Sequence, residues 1–409
     1  MRDVYRKAEL CIAATGAESG DVGLFFDRDS EQLTPVMVEA TWPSDDVLPS
    51  WPMPGSYLFG YYDAHPGKAI EMAPLNQRAW VAQERLLSPR TLHFTQSLLF
   101  WECHTSFINE NNLNSGFMQL NSKLNSLRMS LHDVQSSESN LEPIQNTALH
   151  SISNDTKISN IYIEWRRFLT HYTLCGITKE SDILVALVGV ADEVGDAIKD
   201  CLIAGLWKAQ FIQQLSWRAW GNTSRPNIWR APSWSWASLS GQIVGGMASV
   251  FADKMAAVIE IHVSTKPSGE VEQGSVLMEC RLLSATIHCR RSRDDHGSYN
   301  ACGTLNESVW TSFTEEIDLD DEKLIRVQLD VEDDRYYHAG RTVDVQLLVL
   351  SKLESSQTLG IVVTGICVVN SGNQDDAFER VGYFQAWEET AELVLAAYDQ
   401  ARVQKILLV

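Results

Sequence analysis

The 409-residue sequence has no CxxC pair among its eight cysteines and no spacing that reads as a disulfide framework. Thiols scattered in this way suit a reducing, cytoplasmic setting. Long apolar runs are missing too: the longest, near 183–191 and 361–369, fall well short of the roughly 18 to 20 residues that a spanning helix needs. At the start, Asp3 and Glu9 interrupt the basic Arg2, Arg6 and Lys7, and the apolar run 10–14 is too short for a secretory core. Basic charge is scarce, since 33 Lys and Arg stand against 53 Asp and Glu for a formal charge of −20. That balance repels phosphate backbones and anionic lipid, so nucleic acid and membrane are not expected partners. The phosphate-cradling GxxxxGK[ST] and GxGxxG loops, the HExxH zinc motif and the GxSxG nucleophile elbow are all absent. No cofactor is called for.

What is present is ample core material, 44% hydrophobic residues, in a chain long enough for two or three domains. The densest local logic lies in Pro74–Cys103. Trp80, Glu84 and Leu87 follow at i, i+4 and i+7, which predicts a helix of about three turns. Ser88-Pro89 ends it, because the residue before a proline leaves the α region and proline cannot continue the ladder. A hairpin of Arg90–Phe94 and Leu98–Cys103 around Thr95-Gln96-Ser97 should follow. Upstream, Val4, Tyr5 and Ala8 suit a short helix and Leu10–Ala14 a buried strand.

Four regions result. Residues 1–121 form the first. Residues 122–160, dominated by Ser, Asn, Gln and His, read as a polar linker or surface excursion. Residues 161–229 read as helical: Trp165, Phe168, Leu169 and Tyr172 share one face, and Ile203, Leu206, Trp207, Phe211 and Leu215 make a stripe within 196–220. Residues 230–409 read as β-rich. There Trp234 and Trp236 lie two apart, as on one face of a strand, and 325–331, 343–350 and 360–369 read as further strands. A late helix carries Trp387, Ala391, Val394, Leu395 and Tyr398, and 405–409 is a final strand.

Two clusters invite chemistry. Trp234 and Trp236 could form an aromatic platform, but two same-face tryptophans near the end of a helical region more often close a core, and they are read as packing. His288, Cys289, His296 and Cys302 are zinc-type ligands, but their spacing fits no familiar pattern and no metal is assigned.

The segment Arg78-Ala79-Trp80, Gln83-Glu84, Leu87-Ser88, Arg90, Leu92, Phe94 and Trp101-Glu102-Cys103 resembles the C-terminal half of the fungal heterokaryon-incompatibility (HET) domain. Val4-Tyr5-Arg6-Lys7-Ala8, Ile12-Ala13-Ala14 and Gly23-Leu24-Phe25 with Arg28 resemble the family's preceding helix, strand and loop. Gly176-Ile177-Thr178 with Ser181-Asp182, Ala186–Gly189, Ala204–Trp207 and Ala231–Ala237 resemble the region that commonly follows it. The family's leading L-S-Y-x-W-G-like and W-I-D-x-x-C-I-like strands do not precede Met1, so a shortened domain is expected.

The resemblance implies a mixed α+β and α/β fold: an incomplete TIR-like (flavodoxin-like) α/β unit, a helical middle region and a β-rich C-terminal region. It implies a signalling or interaction module in fungal non-self recognition and programmed cell death, working through protein partners or self-association at strand edges. HET domains are similar to TIR domains, some of which cleave NAD with a glutamate. An NAD nucleosidase completed by another chain or an upstream exon is therefore one alternative, and an inactive fragment is another. Glu84 is the catalytic nominee. The competing role for Gln83-Glu84 is to bond backbone, Arg78 or Arg90 and hold helix to hairpin.

Overall fold

The computed structural model describes residues 2–28, 36–41, 55–59, 67–110, 123–139, 147–246, 252–289, 301–305, 325–331, 342–355, 360–372 and 376–409. The chain divides into two compact units, Met1–Ser136 and Ser137–Val409. Among the described residues no helix is long and apolar enough to cross a membrane.

The first unit runs α1 (Arg2–Arg6), β1 (Cys11–Ala13), β2 (Val36–Ala40), β3 (Gly55–Phe59), a π turn at Gly67–Glu71, a 3-10 turn at Pro74–Gln77, and α2 (Val81–Leu87). Then follow β4 (Arg90–Phe94), β5 (Leu99–Cys103), β6 (Phe107–Asn109) and α3 (Lys123–Ser139). One sheet has the order β1-β4-β5-β6, with β1 parallel to β4 and the other pairs antiparallel; β2 and β3 form a separate ribbon.

The expected helix, stop and hairpin are present, the helix shorter than expected at seven residues, about two turns, because Pro74–Gln77 forms a separate 3-10 turn. Ser88 takes an extended conformation after α2 and turns the chain into β4. At the hairpin tip Thr95 Oγ1 donates to Leu98 O at 2.7 Å and accepts from Leu98 N at 3.1 Å, which fixes the register. Period-two alternation then divides the residues. Thr91, His93, Phe100, Glu102, Phe107 and Asn109 are buried, while Leu92, Phe94 and Trp101 stay partly open.

The stretch 122–160, expected as linker, contributes α3 and the first half of a longer helix. Its composition is polar, but Leu124, Leu127, Arg128 and Leu131 recur at helical spacing and are buried. Four residues on one stripe are enough to seat α3 on the first unit.

The second unit opens with α4 (Thr147–Tyr172), on which Trp165, Phe168, Leu169 and Tyr172 are buried as the pattern predicts. Next come α5 (Val188–Ile198), the two-stranded β7 (Leu202–Ile203) and β8 (Leu206–Trp207), α6 (Phe211–Gln214), and the pair β9 (Arg218–Ser224) and β10 (Ser240–Val244).

Two sequence expectations fail here. Residues 196–220 are not one helix. Ala204 and Gly205 sit at φ 44° and 93°, a left-handed turn that folds 202–207 into a hairpin. The apolar stripe imitated a helix because alternate strand residues and the α6 residues fall at similar intervals. Nor are Trp234 and Trp236 on a strand: Trp236–Ser238 is a 3-10 turn entered through Ser235, whose Oγ accepts from Ala237 N.

The remaining chain is a large β assembly: β11 (Asp253–Lys254), β12 (Ala257–Thr265), β13 (Val271–Cys289), β14 (Ala301–Leu305), β15 (Ile325–Leu329), β16 (Thr342–Ser355), β17 (Gly360–Asn370), β18 (Ala377–Trp387) and β19 (Val403–Leu408). Pairing runs β13-β14-β15-β18-β17-β16 and returns to β13, so six antiparallel strands close into a barrel. Leu283, Ile287, Val327, Leu347, Val363 and Phe384 lie in its core cluster, joined by Ala391 and Val394 of α7 (Glu388–Gln400). Closure removes most open sheet edges.

Candidate functional site

The first unit buries a charged network on one face of its four-stranded sheet. Glu102, fully buried on β5, accepts from Arg85 Nε at 2.7 Å and Arg85 Nη2 at 3.3 Å, and its Oε2 lies 2.8 Å from His93 Nε2. Arg85 Nη1 donates to Glu71 at 2.8 Å. Arg128 reaches in from α3: its Nη1 stands 3.4 Å from Glu102 Oε1, and its Nη2 donates to the carbonyls of Arg85 and Ser88. The latter contacts place a cation on the open carbonyls at the end of α2, where the helix dipole favours positive charge.

The protonation states follow from the partners. A carboxylate can only accept, so His93 Nε2 carries the hydrogen and Nδ1 is the acceptor for Thr15 Oγ1, 2.9 Å away. Burial pushes His93 below its ordinary value, with the Glu102 hydrogen bond and charge opposing. Burial works to raise the Glu102 carboxyl, but Arg85 and Arg128 overcome it and hold Glu102 well below the usual carboxylate range. With neutral His93, two arginines balance Glu102 and Glu71. The charges cancel inside the unit.

Thr15, His93 and Glu102 thus line up as hydroxyl, imidazole and carboxylate, the order of a nucleophilic relay. Exposure decides against that use: Thr15 is 0%, His93 1% and Glu102 0% exposed. The network fixes β1, β4, β5, α2 and α3 to one another.

Glu84, the sequence nominee, lies one residue before Arg85 and is half-buried on α2. It hydrogen-bonds Tyr5 of α1; burial together with this bond pushes the phenol up to about 12. Its backbone carbonyl accepts from Ser88 Oγ at 2.6 Å. Arg85, next along α2, bonds the helix to the hairpin through Glu102. Sequence reading missed Arg85, His93, Glu102 and Arg128. A signal existed for Glu102, since it alternates with buried Phe100 and so had to bring a charge onto an apolar face.

Beside the network, Cys103 is part-exposed, with Sγ 3.2 Å from Ser106 Oγ and 3.5 Å from Thr105 Oγ1. Burial would raise this thiol, but those hydroxyls and two backbone donors bring it down to about 7.

In the second unit Trp234 and Trp236 are 0% and 1% exposed, so they pack. Trp236 Nε1 donates to Gly205 O at 2.8 Å, and Trp217 Nε1 donates to Trp234 O at 2.8 Å. Of the zinc-type residues, His288 on β13 faces Cys302 on β14 in register, while His296 lies outside the described residues. Among the described residues no three His, Cys, Asp or Glu side chains group to hold a metal ion.

Residues 1–84 match the model of the family described as heterokaryon incompatibility protein (HET). The chain carries a HET-family segment. No curated protein and no solved structure matched the chain. The HET match includes Thr15, Glu71 and Glu84 and stops one residue short of Arg85. The compact unit that holds the matched segment runs on through the hairpin into α3 and includes the buried charges of Glu102 and Arg128.

Proposed function

We propose that the chain is a heterokaryon-incompatibility-type protein acting as a signalling or interaction module in fungal non-self recognition and the cell death that follows, through protein partners or self-association. One observation supports a module over a catalyst. Among the described residues, the charged cluster of the first unit is closed to solvent except at the edge of Glu71 and is internally neutral, which suits a scaffold that presents its surface. The exposed strand β2, with Val36 and Met37 each 60% open, supplies apolar surface of the kind that pairs with another chain. The fold relation to TIR domains belongs to this proposal, and its local support is the parallel β1–β4 pair with α2 leading into β4.

The test is controlled expression in a filamentous fungus. Growth arrest is expected from the unmodified chain and not from Arg85→Ala, which opens the network. Growth identical to an empty vector for both would sink the reading. An NAD-cleaving activity would rest on Glu84, and NAD consumption by the purified chain and by Glu84→Ala decides it: equal rates for the two remove Glu84 from any role.

A further inference from the structure

The second unit has a corner at 225–233 whose surface chemistry the HET reading does not use. After β9 the chain runs Arg225-Pro226-Asn227-Ile228-Trp229, and Ile228 is 75% and Trp229 53% exposed. Two adjacent large apolar side chains this open are unusual, and in the same unit tryptophans 165, 207, 217, 234 and 236 are essentially buried while 220 and 387 are half-buried. Trp229 also lines a cavity of about 510 Å³, together with Arg225, Pro232, Glu272 and Glu379. The corner therefore has a half-open indole and a recess beside it.

Charge decides what fits. Arg230 spends its guanidinium on Ala237 O, Leu239 O, Glu180 O and Ser240 Oγ. Arg225 is directed to Ser238 Oγ at 3.4 Å and Arg380 O at 3.3 Å. Both cations are held by the unit's own oxygens. Glu272 on β13 and Glu379 on β18 also line the recess, and among the described residues neither takes part in an ion pair or side-chain hydrogen bond. Available carboxylates next to an open indole face suit a guanidinium or ammonium, which stacks on the ring while an acid receives its N–H groups. The formal charge of −20 attracts the same class of partner from a distance.

We infer that the Trp229 corner docks an arginine- or lysine-bearing peptide segment of a partner protein, with the cation over Trp229 toward Glu272 and Glu379 and an apolar neighbour on Ile228. This goes beyond the HET reading, because it concerns only the second unit. It stands or falls whether or not expression arrests growth.

The probe is a fluorescein-labelled hexa-arginine peptide, followed by anisotropy with the full chain at about 0.15 M salt, where exposed charges beyond roughly 8 Å are screened. Trp229→Ala, Ile228→Ser and Glu272→Gln/Glu379→Gln are each expected to weaken binding about ten-fold, as the loss of a buried anchor does. The control pair Glu279→Gln/Glu392→Gln removes the same charge from other exposed sites of the unit and leaves binding within about two-fold, as distant surface charges should. Ile228→Ser guards against misfolding, since an open side chain carries little packing, and thermal melts verify all variants. Equal losses in the two double variants would mean bulk attraction and overturn the proposal. So would no binding by the unmodified chain, preferred binding of hexa-glutamate, or a dimer that dissociates on Trp229→Ala, which would make a second copy the occupant.

Discussion

His93 Nε2 stands 2.8 Å from Glu102 Oε2, with both side chains sealed inside the first unit. The pair ties the parallel half of the sheet to the antiparallel half, because His93 also takes a hydrogen bond from Thr15 just past β1. Acid should therefore attack this unit first. The folded His93 lies below its ordinary value of 6.5, so below that pH the unfolded chain binds a proton that the folded chain resists. Glu102 is depressed below 4.5, so its stabilisation is present above that value and is lost as pH falls toward its folded value. Both shifts have the same sign. Denaturant midpoints of the first unit should decline from about pH 6.5 downward and more steeply below about pH 4.5, and His93→Gln should flatten the upper part of the decline. A midpoint unchanged between pH 7 and pH 4 would refute this account.

Removing one member of the Glu102 network leaves its partners charged and unpaired. Glu102→Ala should destabilise the first unit by about 3–5 kcal/mol, the range for breaking buried ion pairs. Hydrogen exchange resolves which unit is affected: amides of β4 and β5 should lose protection while those of β16 and β17 keep theirs.

The second unit has its own buried pair. Arg380 donates Nε to Asp330 Oδ2 at 2.9 Å and Nη2 to Oδ1 at 3.0 Å, bonds Leu215 O and Trp217 O, and lies 3.3 Å from the centroid of the Trp217 ring. Arg380→Met alone should cost about 3–5 kcal/mol, while Arg380→Met/Asp330→Leu should recover part of it, because no lone charge remains. Urea melts of the three proteins supply the cycle, and a double variant as weak as the two singles added together would contradict it.

Gly205→Ala should loosen the tryptophan core. An added Cβ would meet Trp236 Nε1 at 2.5 Å on a backbone at φ +93°. Left-handed backbone costs roughly 1–2 kcal/mol and overpacking about 1–3, so a loss of about 2–5 kcal/mol is expected with a red-shifted tryptophan emission. Wild-type stability and spectrum would show that the hairpin yields.

Alkylation should find Cys103 near neutral pH. Its thiol sits at about 7, so iodoacetamide labelling should reach half its maximal rate there, and Ser106→Ala should move that midpoint upward. Cys280, which burial pushes up to about 12, should stay unlabelled in the folded chain. Peptide mass mapping across a pH series checks both, and a Cys103 midpoint near 9 would rule out the hydrogen-bonded thiolate.

The parts of this fold legible in the sequence are those governed by neighbours in the chain. Ser88-Pro89 ends α2, Thr95–Ser97 turns the hairpin, and the faces of α4 and α7 follow helical spacing, whereas β15 is a strand that buries Gln328 along with Ile325, Val327 and Leu329 and so departs from plain alternation. Illegible parts depended on distant partners. Arg128 lies in the polar stretch 122–160, and nothing local says that Glu102 needs a second cation. Trp234 and Trp236 pack as their residue type predicts, but they lie on a turn and not on a strand, because Ser235 and Gly205 bend the chain through contacts made in space. Barrel closure was hidden for the same reason, since pattern reveals a strand's buried face and leaves its neighbours open.

β13 is 19 residues long, and its two halves belong to different neighbours: Ala257–Thr265 and Val403–Leu408 flank the first, Ala301–Leu305 and Thr342–Ser355 the second. A strand shared in this way gives the β assembly no internal seam. Pulling or melting either half strips hydrogen bonds from the other, so the region from 257 to 408 should give way in one step, and a protease cut within β13 should release no stable fragment.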